Sequence, residues 1–213
     1  MRLCSYVVMI DKGFAPNPFW GFCTLAACTP NHQGCTFGRN DWMLGNSSAN
    51  TGRRLIYAMR ISEVLDFDDY YRDQRFAGKR ARAGSWRERC GDNIYFRNGA
   101  GEWEQALAFY HTCPRDIEKD TRNPCVFISD HFFYFGENAP ARSDLPVEYA
   151  SLVNTGISHR HHEGESVHAF IEWLEQTHQP GLHGLPRDRE EETGAQCGLV
   201  HTRSVVRRTS GCS

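Results

Sequence analysis

Residues 38–67 read GRNDWMLGNSSANTGRRLIYAMRISEVLDF. Residues 41–46, DWMLGN, are a short apolar run entered from a turn, which predicts a strand. A glycine-bounded loop rich in asparagine and serine follows and ends in Arg53 and Arg54. The next run alternates, with Ile56, Ala58, Arg60, Ser62 and Val64 on one side and Leu55, Tyr57, Met59, Ile61 and Glu63 on the other. The alternation is imperfect because both sides carry apolar residues, so this strand is expected to be covered on both faces. Two short strands joined by a polar loop make the protein a sheet former. The loop has two readings: a plain hairpin connection, or the mouth of a pocket for something anionic and flat.

The surroundings extend this pattern. Residues 3–10, LCSYVVMI, read as a buried strand, and FCTLAACTP (22–30) as a second short one. Between them Gly13, Pro16, Pro18 and Gly21 forbid a long helix. Phe14, Phe19, Trp20 and Phe22 crowd the same loop. DFDDYYRDQRF (66–76) predicts a short helix capped by Asp66 or Asp68, with acids in its first turn. GDNIYFRN (91–98) predicts a strand, PRDIEKDTRNP a short helix or turn, and CVFISDHFFYFGENAP a strand pair or one bent strand. GESVHAFIEWLEQTH (164–178) is the clearest helix. Val167, Phe170, Ile171 and Leu174 fall at helical spacing, Ser166 is the expected N-cap, and Pro180-Gly181 ends it. The class is therefore α+β: a small, strongly curved sheet or barrel with flanking helices and long loops. The expected division is one domain over 1–185 and a polar, disordered tail over 186–213.

Composition fits one globular domain: 213 residues, 40% hydrophobic, 23% charged and 12% aromatic. The net charge of −2 excludes a globally basic nucleic-acid binder, so any basic surface must be local. The apolar run near the N-terminus ends at Asp11, too soon for a secretory leader, and no stretch approaches the roughly 20 residues a membrane helix needs. A cytoplasmic protein is expected, with its nine cysteines reduced.

One basic segment stands out. Residues 72–90 hold Arg72, Arg75, Lys79, Arg80, Arg82, Arg87 and Arg89 against Asp73 and Glu88, with Trp86 inside and Tyr70 and Tyr71 beside it. Interleaved cations, aromatics and glycines suit nucleic acid, although a charge run is most often a solvated surface. The Phe14–Phe22 aromatics either stack on a planar ligand or cap the sheet as core, and Trp42 is open to both readings. The loop GNSSANTGRR offers amides, hydroxyls and arginines for a base edge or a phosphate, but is no P-loop.

Metal sites are weakly supported. Cys23, Cys28, His32 and Cys35 lack a CxxC pair, and the His159, His161, His162 and His168 run reads as a polar loop. Asp116, Glu118, Asp120 and Asp130 can hold a divalent ion, but neighbouring cations explain the first three more simply. For catalysis, Cys90 lies among arginines that would lower its pKa, and His111 and His131 are available bases. No known nucleophile signature surrounds Cys90.

SYVVMIDKGFAPNPFWGFCTLAACTP, DWMLGNSS, GRRLIYAMRISEVLDFDDYYRDQRF, CGDNIYF, DIEKDTRNPCVFISDHFFYFGENAP and VEYASLV occur in this order. Together they resemble the nucleotide modification associated domain family, second group, over residues 2 to 185. The resemblance implies association with systems that make or handle modified bases in DNA, without implying a reaction. Asn40-Asp41-Trp42 and the strand after it are also similar to the opening of PUA-like, EVE-like and YTH-like barrels, where an aromatic pocket receives a flipped base. In those barrels glycine often stands where Asn40 does here.

The expected function is recognition of a modified nucleobase. Phe19, Trp20 and Trp42 would stack, while Asn46, Ser47, Ser48, Asp92 and Asn93 would read its edge. Arg53, Arg54, Lys79, Arg80, Arg82 and Arg87 would bind phosphates. Expected partners are nucleic acid, DNA above all, or a nucleotide, with no membrane, cofactor or metal. The alternatives are an enzyme acting on a nucleotide or modified base through Cys90, Asp92 and His111, and a structural or partner-binding protein whose aromatics are all core.

Overall fold

The 38–67 segment forms the centre of the protein, as β3 (Trp42–Ser47), β4 (Leu55–Arg60) and β5 (Glu63–Asp66). The computed structural model describes residues 1–27, 36–156 and 158–190. In it, β1 (Arg2–Val8) runs parallel to β3, and β3 pairs with β4 as an antiparallel hairpin. The main sheet has six strands in the order β10-β1-β3-β4-β9-β11, with β9 at His131–Tyr134, β10 at Arg160–Glu163 and β11 at Gly181–Leu182. A smaller sheet orders β2 (Cys23–Leu25), β8 (Cys125–Ser129) and β5, and β6 (Tyr95–Arg97) pairs with β7 (Trp103–Gln105).

The expected mixture of strands and short helices is present; of the two expected forms, curved sheet or barrel, the barrel is absent. Among the described residues β10 and β11 each pair on one side only, so the six-stranded sheet is open. The long run 55–66 is two strands rather than one. It breaks at Ile61-Ser62, where β4 belongs to the large sheet and β5 to the small one. CVFISDHFFYF divides the same way at Asp130, with β8 in the small sheet and β9 in the large. These two crossings stitch the layers together.

Both faces of the large sheet are covered, which explains the apolar residues on both sides of β4. On one face α5 (Glu165–Thr177) buries Val167, Phe170, Ile171 and Leu174. Its N-cap is Gly164 (φ 92), not Ser166, because the helix already begins at Glu165. The other face carries Tyr6 and Tyr57, whose hydroxyls lie 2.6 Å apart. A second core lies among Phe14, Phe67, Tyr70, Phe76, Ile94, Tyr95, Val126 and Ile128. It is closed by α1 (Phe67–Arg72), whose N-cap Asp66 accepts the Asp68 N–H at 2.8 Å. Two further short helices, α2 (Trp86–Arg89) and α3 (Pro114–Asp120), border this layer, and α4 (Tyr149–Leu152) packs near α5.

Residues 186–190, placed in the polar tail by the sequence reading, run across the start of the 11–24 loop. The Asp188 N–H bonds the Asp11 carbonyl at 2.8 Å, and the Asp11 N–H bonds Asp188 Oδ2 at 2.8 Å. The rest of that tail lies outside the described residues.

Candidate nucleic-acid interface

The aromatic loop between β1 and β2 is held from within. Asn17 and Thr24 form an isolated antiparallel bridge, with N–H···O distances of 2.9 and 3.0 Å. Lys79, only 1% exposed, ends a 3₁₀ turn over Gln74–Lys79 and points its ammonium into this loop. Nζ donates to the Asn17 carbonyl at 2.9 Å, to Asn17 Oδ1 at 3.0 Å and to the Phe22 carbonyl at 2.9 Å. Those three bonds use all the protons of an ammonium. Asp92, equally buried, accepts from the Thr24 hydroxyl at 2.5 Å and the Tyr70 hydroxyl at 2.9 Å. Burial pushes the Lys79 pKa down to about 8 and raises that of Asp92, while the charge of each partner opposes the shift of the other. Asn93 donates to the carbonyls of Tyr70 and Phe76 at 3.0 and 3.2 Å. Lys79, Asp92 and Asn93 thus lie inside the protein as the support of the loop.

What this support displays is a patch of aromatics and arginines. Trp20 takes φ 57 and Gly21 φ 84, a left-handed pair that turns the Trp20 ring out over Gly78. A Cβ on Gly78 would stand 3.1 Å from the indole, so any larger residue here would push the ring out by a few tenths of an ångström. Phe19 is buried edge-on between Trp20 and Trp86, with ring centroids at 5.6 and 5.7 Å. Trp86 opens α2, whose Ser85 and Glu88 form a reciprocal capping box. Arg87 extends from this helix over Phe19 at 5.0 Å and Trp86 at 5.7 Å.

Beside this patch is a cleft of about 480 Å³ lined by Tyr71, Gly78, Arg80, Ala81, Arg82 and Leu107 among others. Its aromatic wall, Tyr71, is stacked on Phe96 at 4.7 Å, and the Arg80 guanidinium lies 4.4 Å over the Tyr71 ring. Arg80 Nη2 donates to the Tyr71 carbonyl, its Nε is buried with no hydrogen-bond partner among the described residues, and Arg82 is exposed on the rim. Tyr71, Arg80 and Arg82 therefore line one depression, and half-buried Trp20, whose ring lies over the Gly78 wall, leads from it to Trp86 and Arg87. Flat faces for a base and guanidinium forks for phosphate are the complement of a nucleotide unit.

The other residues expected at the site lie elsewhere. Trp42 is 1% exposed, stacked with Phe133 at 6.4 Å, on the α5 side of the large sheet. Asn46 is buried and exchanges bonds with Asn154, Nδ2 to its carbonyl and its N–H to Oδ1, both at 2.9 Å. Ser47 Oγ accepts the Arg54 N–H at 2.9 Å, and Ser48 Oγ lies 3.2 Å from Thr51 Oγ1. Arg53 (φ 50) gives its carbonyl to the Tyr149 hydroxyl, and Arg54 Nη1 donates to the Ala139 carbonyl at 2.9 Å. Trp42 and Ser47 stand five strand steps apart on β3, about 17 Å. The GNSSANTG loop takes the hairpin reading, closed by a 3₁₀ turn and by Gly52 at φ 84.

A family model described as nucleotide modification associated domain 2 matches residues 1–193. The chain belongs to that family. No curated protein and no solved structure is significantly similar to it. Within this modification-associated domain, Cys90 is not the activated thiol the sequence suggested. It is 1% exposed, its Sγ lies 3.0 Å from the Lys12 carbonyl, and burial pushes its pKa up to about 11. His111 (φ 56) instead places Nδ1 2.5 Å from Oδ2 of fully buried Asp120, which also accepts the Tyr95 hydroxyl at 2.8 Å. The sequence reading missed this pair, having assigned Asp120 to ion pairs with neighbouring cations rather than to His111. His111 and Asp120 lie nine positions apart, with His111 in the turn before α3 and Asp120 at the helix's last position, so their meeting depends on how that turn enters the helix.

Among the described residues no three His, Cys, Asp or Glu side chains gather as metal ligands. Of the cysteine-histidine set, Cys28, His32 and Cys35 lie outside the described residues. Also among those residues, no helix of the modification-associated domain is long and apolar enough to cross a membrane.

Proposed function

We propose that the protein is a nucleic-acid-associated module of DNA base-modification systems that recognises a modified nucleobase. Family membership supplies the link to nucleotide modification. The observation that carries the molecular reading is the 480 Å³ cleft lined by Tyr71, Arg80 and Arg82, with the Trp20, Trp86 and Arg87 patch beside it across Gly78. A base taken out of its stack costs a few kcal/mol. Stacking returns about 1–3 kcal/mol per base, so the arginine–phosphate contacts must supply the remainder. The rigid loop favours binding because Trp20 needs no ordering when the ligand arrives.

The test is fluorescence anisotropy with matched single-stranded and duplex DNA, with and without a modified pyrimidine, over a salt series. The expected result is tighter binding to the modified strand, with log K falling linearly as log salt rises. Absence of binding to every one of these DNAs overturns the reading.

A further inference from the structure

We infer that Arg89 and the Tyr110 hydroxyl form a further phosphate subsite beside this surface, and that the chain's own Glu190 carboxylate occupies it as an internal stand-in for phosphate. Arg89 Nη2 lies 3.1 Å from Glu190 Oε2, and the Tyr110 hydroxyl lies 3.3 Å from Glu190 Oε1. A guanidinium and a phenol converging on the two oxygens of one carboxylate also fit two oxygens of a phosphate. The Lys12 ammonium lies 5.2 Å from the Tyr110 ring centroid and adds positive charge. Arg89 follows Trp86 by three positions on α2 and so lies on its side of the helix, which places the subsite next to the Trp86 end of the proposed interface.

Glu190 is brought there by a firm strap. Besides the two Asp11–Asp188 bonds, the Arg187 N–H reaches Asp11 Oδ2 at 3.1 Å, and Arg189 Nη1 pairs with Glu137 Oε2 at 2.6 Å. Pro186 packs so closely on Gly13 that a Cβ there would stand 2.6 Å from it. The anchor is strong, but the Glu190–Arg89 contact is exposed and therefore weak, as a displaceable occupant must be. Glu191 and Glu192 follow in sequence and add to the acidic character of this segment.

The inference rests on the nucleic-acid reading only for the identity of the incoming phosphate, and the test separates the two. Wild type, Glu190→Gln, Arg89→Gln, Tyr110→Phe and Glu190→Gln/Arg89→Gln are titrated with a labelled single-stranded oligonucleotide, and separately with inorganic tripolyphosphate by thermal shift. Glu190→Gln is expected to bind the oligonucleotide about two- to fivefold more tightly, the worth of one exposed ion pair, with a steeper salt dependence. Tyr110→Phe should weaken binding, and the Glu190→Gln gain should vanish when Arg89 is also replaced. Equal affinity of wild type and Glu190→Gln, where wild type binds, overturns the subsite and leaves the interface standing. If no variant binds the oligonucleotide but tripolyphosphate stabilises Glu190→Gln and not the double variant, the subsite stands and the nucleic-acid reading falls. If tripolyphosphate too makes no distinction, both fall.

Discussion

Lys79 places its ammonium 2.9 Å from the carbonyl of Asn17, 62 positions away, with no solvent between them. One bond of this kind costs more to break than to form, because the loop acceptors and Asp92 were built around a cation. Lys79→Met would take one donor from each of three carbonyl-type acceptors, leaving Asn17 with only its Thr24 and Phe19 N–H bonds, and would leave Asp92 buried without its counter-charge. We expect a loss of about 3–5 kcal/mol, read as a lower urea midpoint. Adding Asp92→Asn to that variant should recover part of the loss. Equal stability of Lys79→Met and wild type would refute the supporting role.

Trp20 lies outside that support, and its replacement separates function from folding. Trp20→Ala removes one stacking face, so DNA affinity should drop about 5- to 150-fold, the equivalent of 1–3 kcal/mol. The thermal midpoint should stay close to wild type, because Phe19 beneath it remains buried against Trp86. A variant that fails to fold would instead assign the whole aromatic loop to the core.

The three arginines should act differently from the tryptophan. Replacing Arg82 or Arg87 with Gln should weaken modified and unmodified strands alike. Each replacement that removes a phosphate contact should reduce the slope of log K against log salt by about one. A loss confined to the modified strand would make the arginine a base reader.

The pH dependence of stability follows from buried thiols and phenols. Burial pushes Cys23 up to about 12 and Cys90 up to about 11, and it raises Tyr57, Tyr70 and Tyr134 as well. In the unfolded chain these thiols ionise near pH 9, so between pH 9 and 12 the folded state holds more protons. Their contribution is complete below pH 9 and is lost as pH rises through that window. Lys79, lowered to about 8, works the other way between 8 and 10.5, but as one group against several. Urea midpoints at pH 8, 9.5 and 10.5 should therefore decline in order. A rise would show that the lysine outweighs the others.

Legibility followed the range of the interactions. The 3.6-residue spacing of Val167, Phe170, Ile171 and Leu174 made α5 readable, and the Asp66 cap located α1. The division of 55–66 and of 125–134 between two sheets was not readable, because pairing partners such as Leu65 with Val126 are remote in sequence. The same limit governed the site. Lys79 and Arg80 looked alike in a basic run, yet one points into the Asn17 loop and the other lies over Tyr71. Only the loop 62 positions upstream distinguishes them. Composition did reveal that the segment from Arg80 to Arg89 is both aromatic and cationic, and the structure brings Trp20 to it.

The hairpin loop supplies the last separation. Asn46 and Ser47 looked like base readers because amides and hydroxyls suit that work, but the structure turns them onto the protein's own backbone. Asn46 bonds Asn154 in both directions, joining β3 to the segment after α4, and Ser47 Oγ receives the Arg54 N–H. Asn46→Ala leaves buried backbone groups of Asn154 without partners, which costs about 1–3 kcal/mol for each group left unsatisfied. The expected variant is markedly less stable to urea, yet binds DNA as wild type does below its melting range. Weakened binding at unchanged stability would return this loop to the ligand and place the recognised base at the β3–β4 turn rather than beside Trp20.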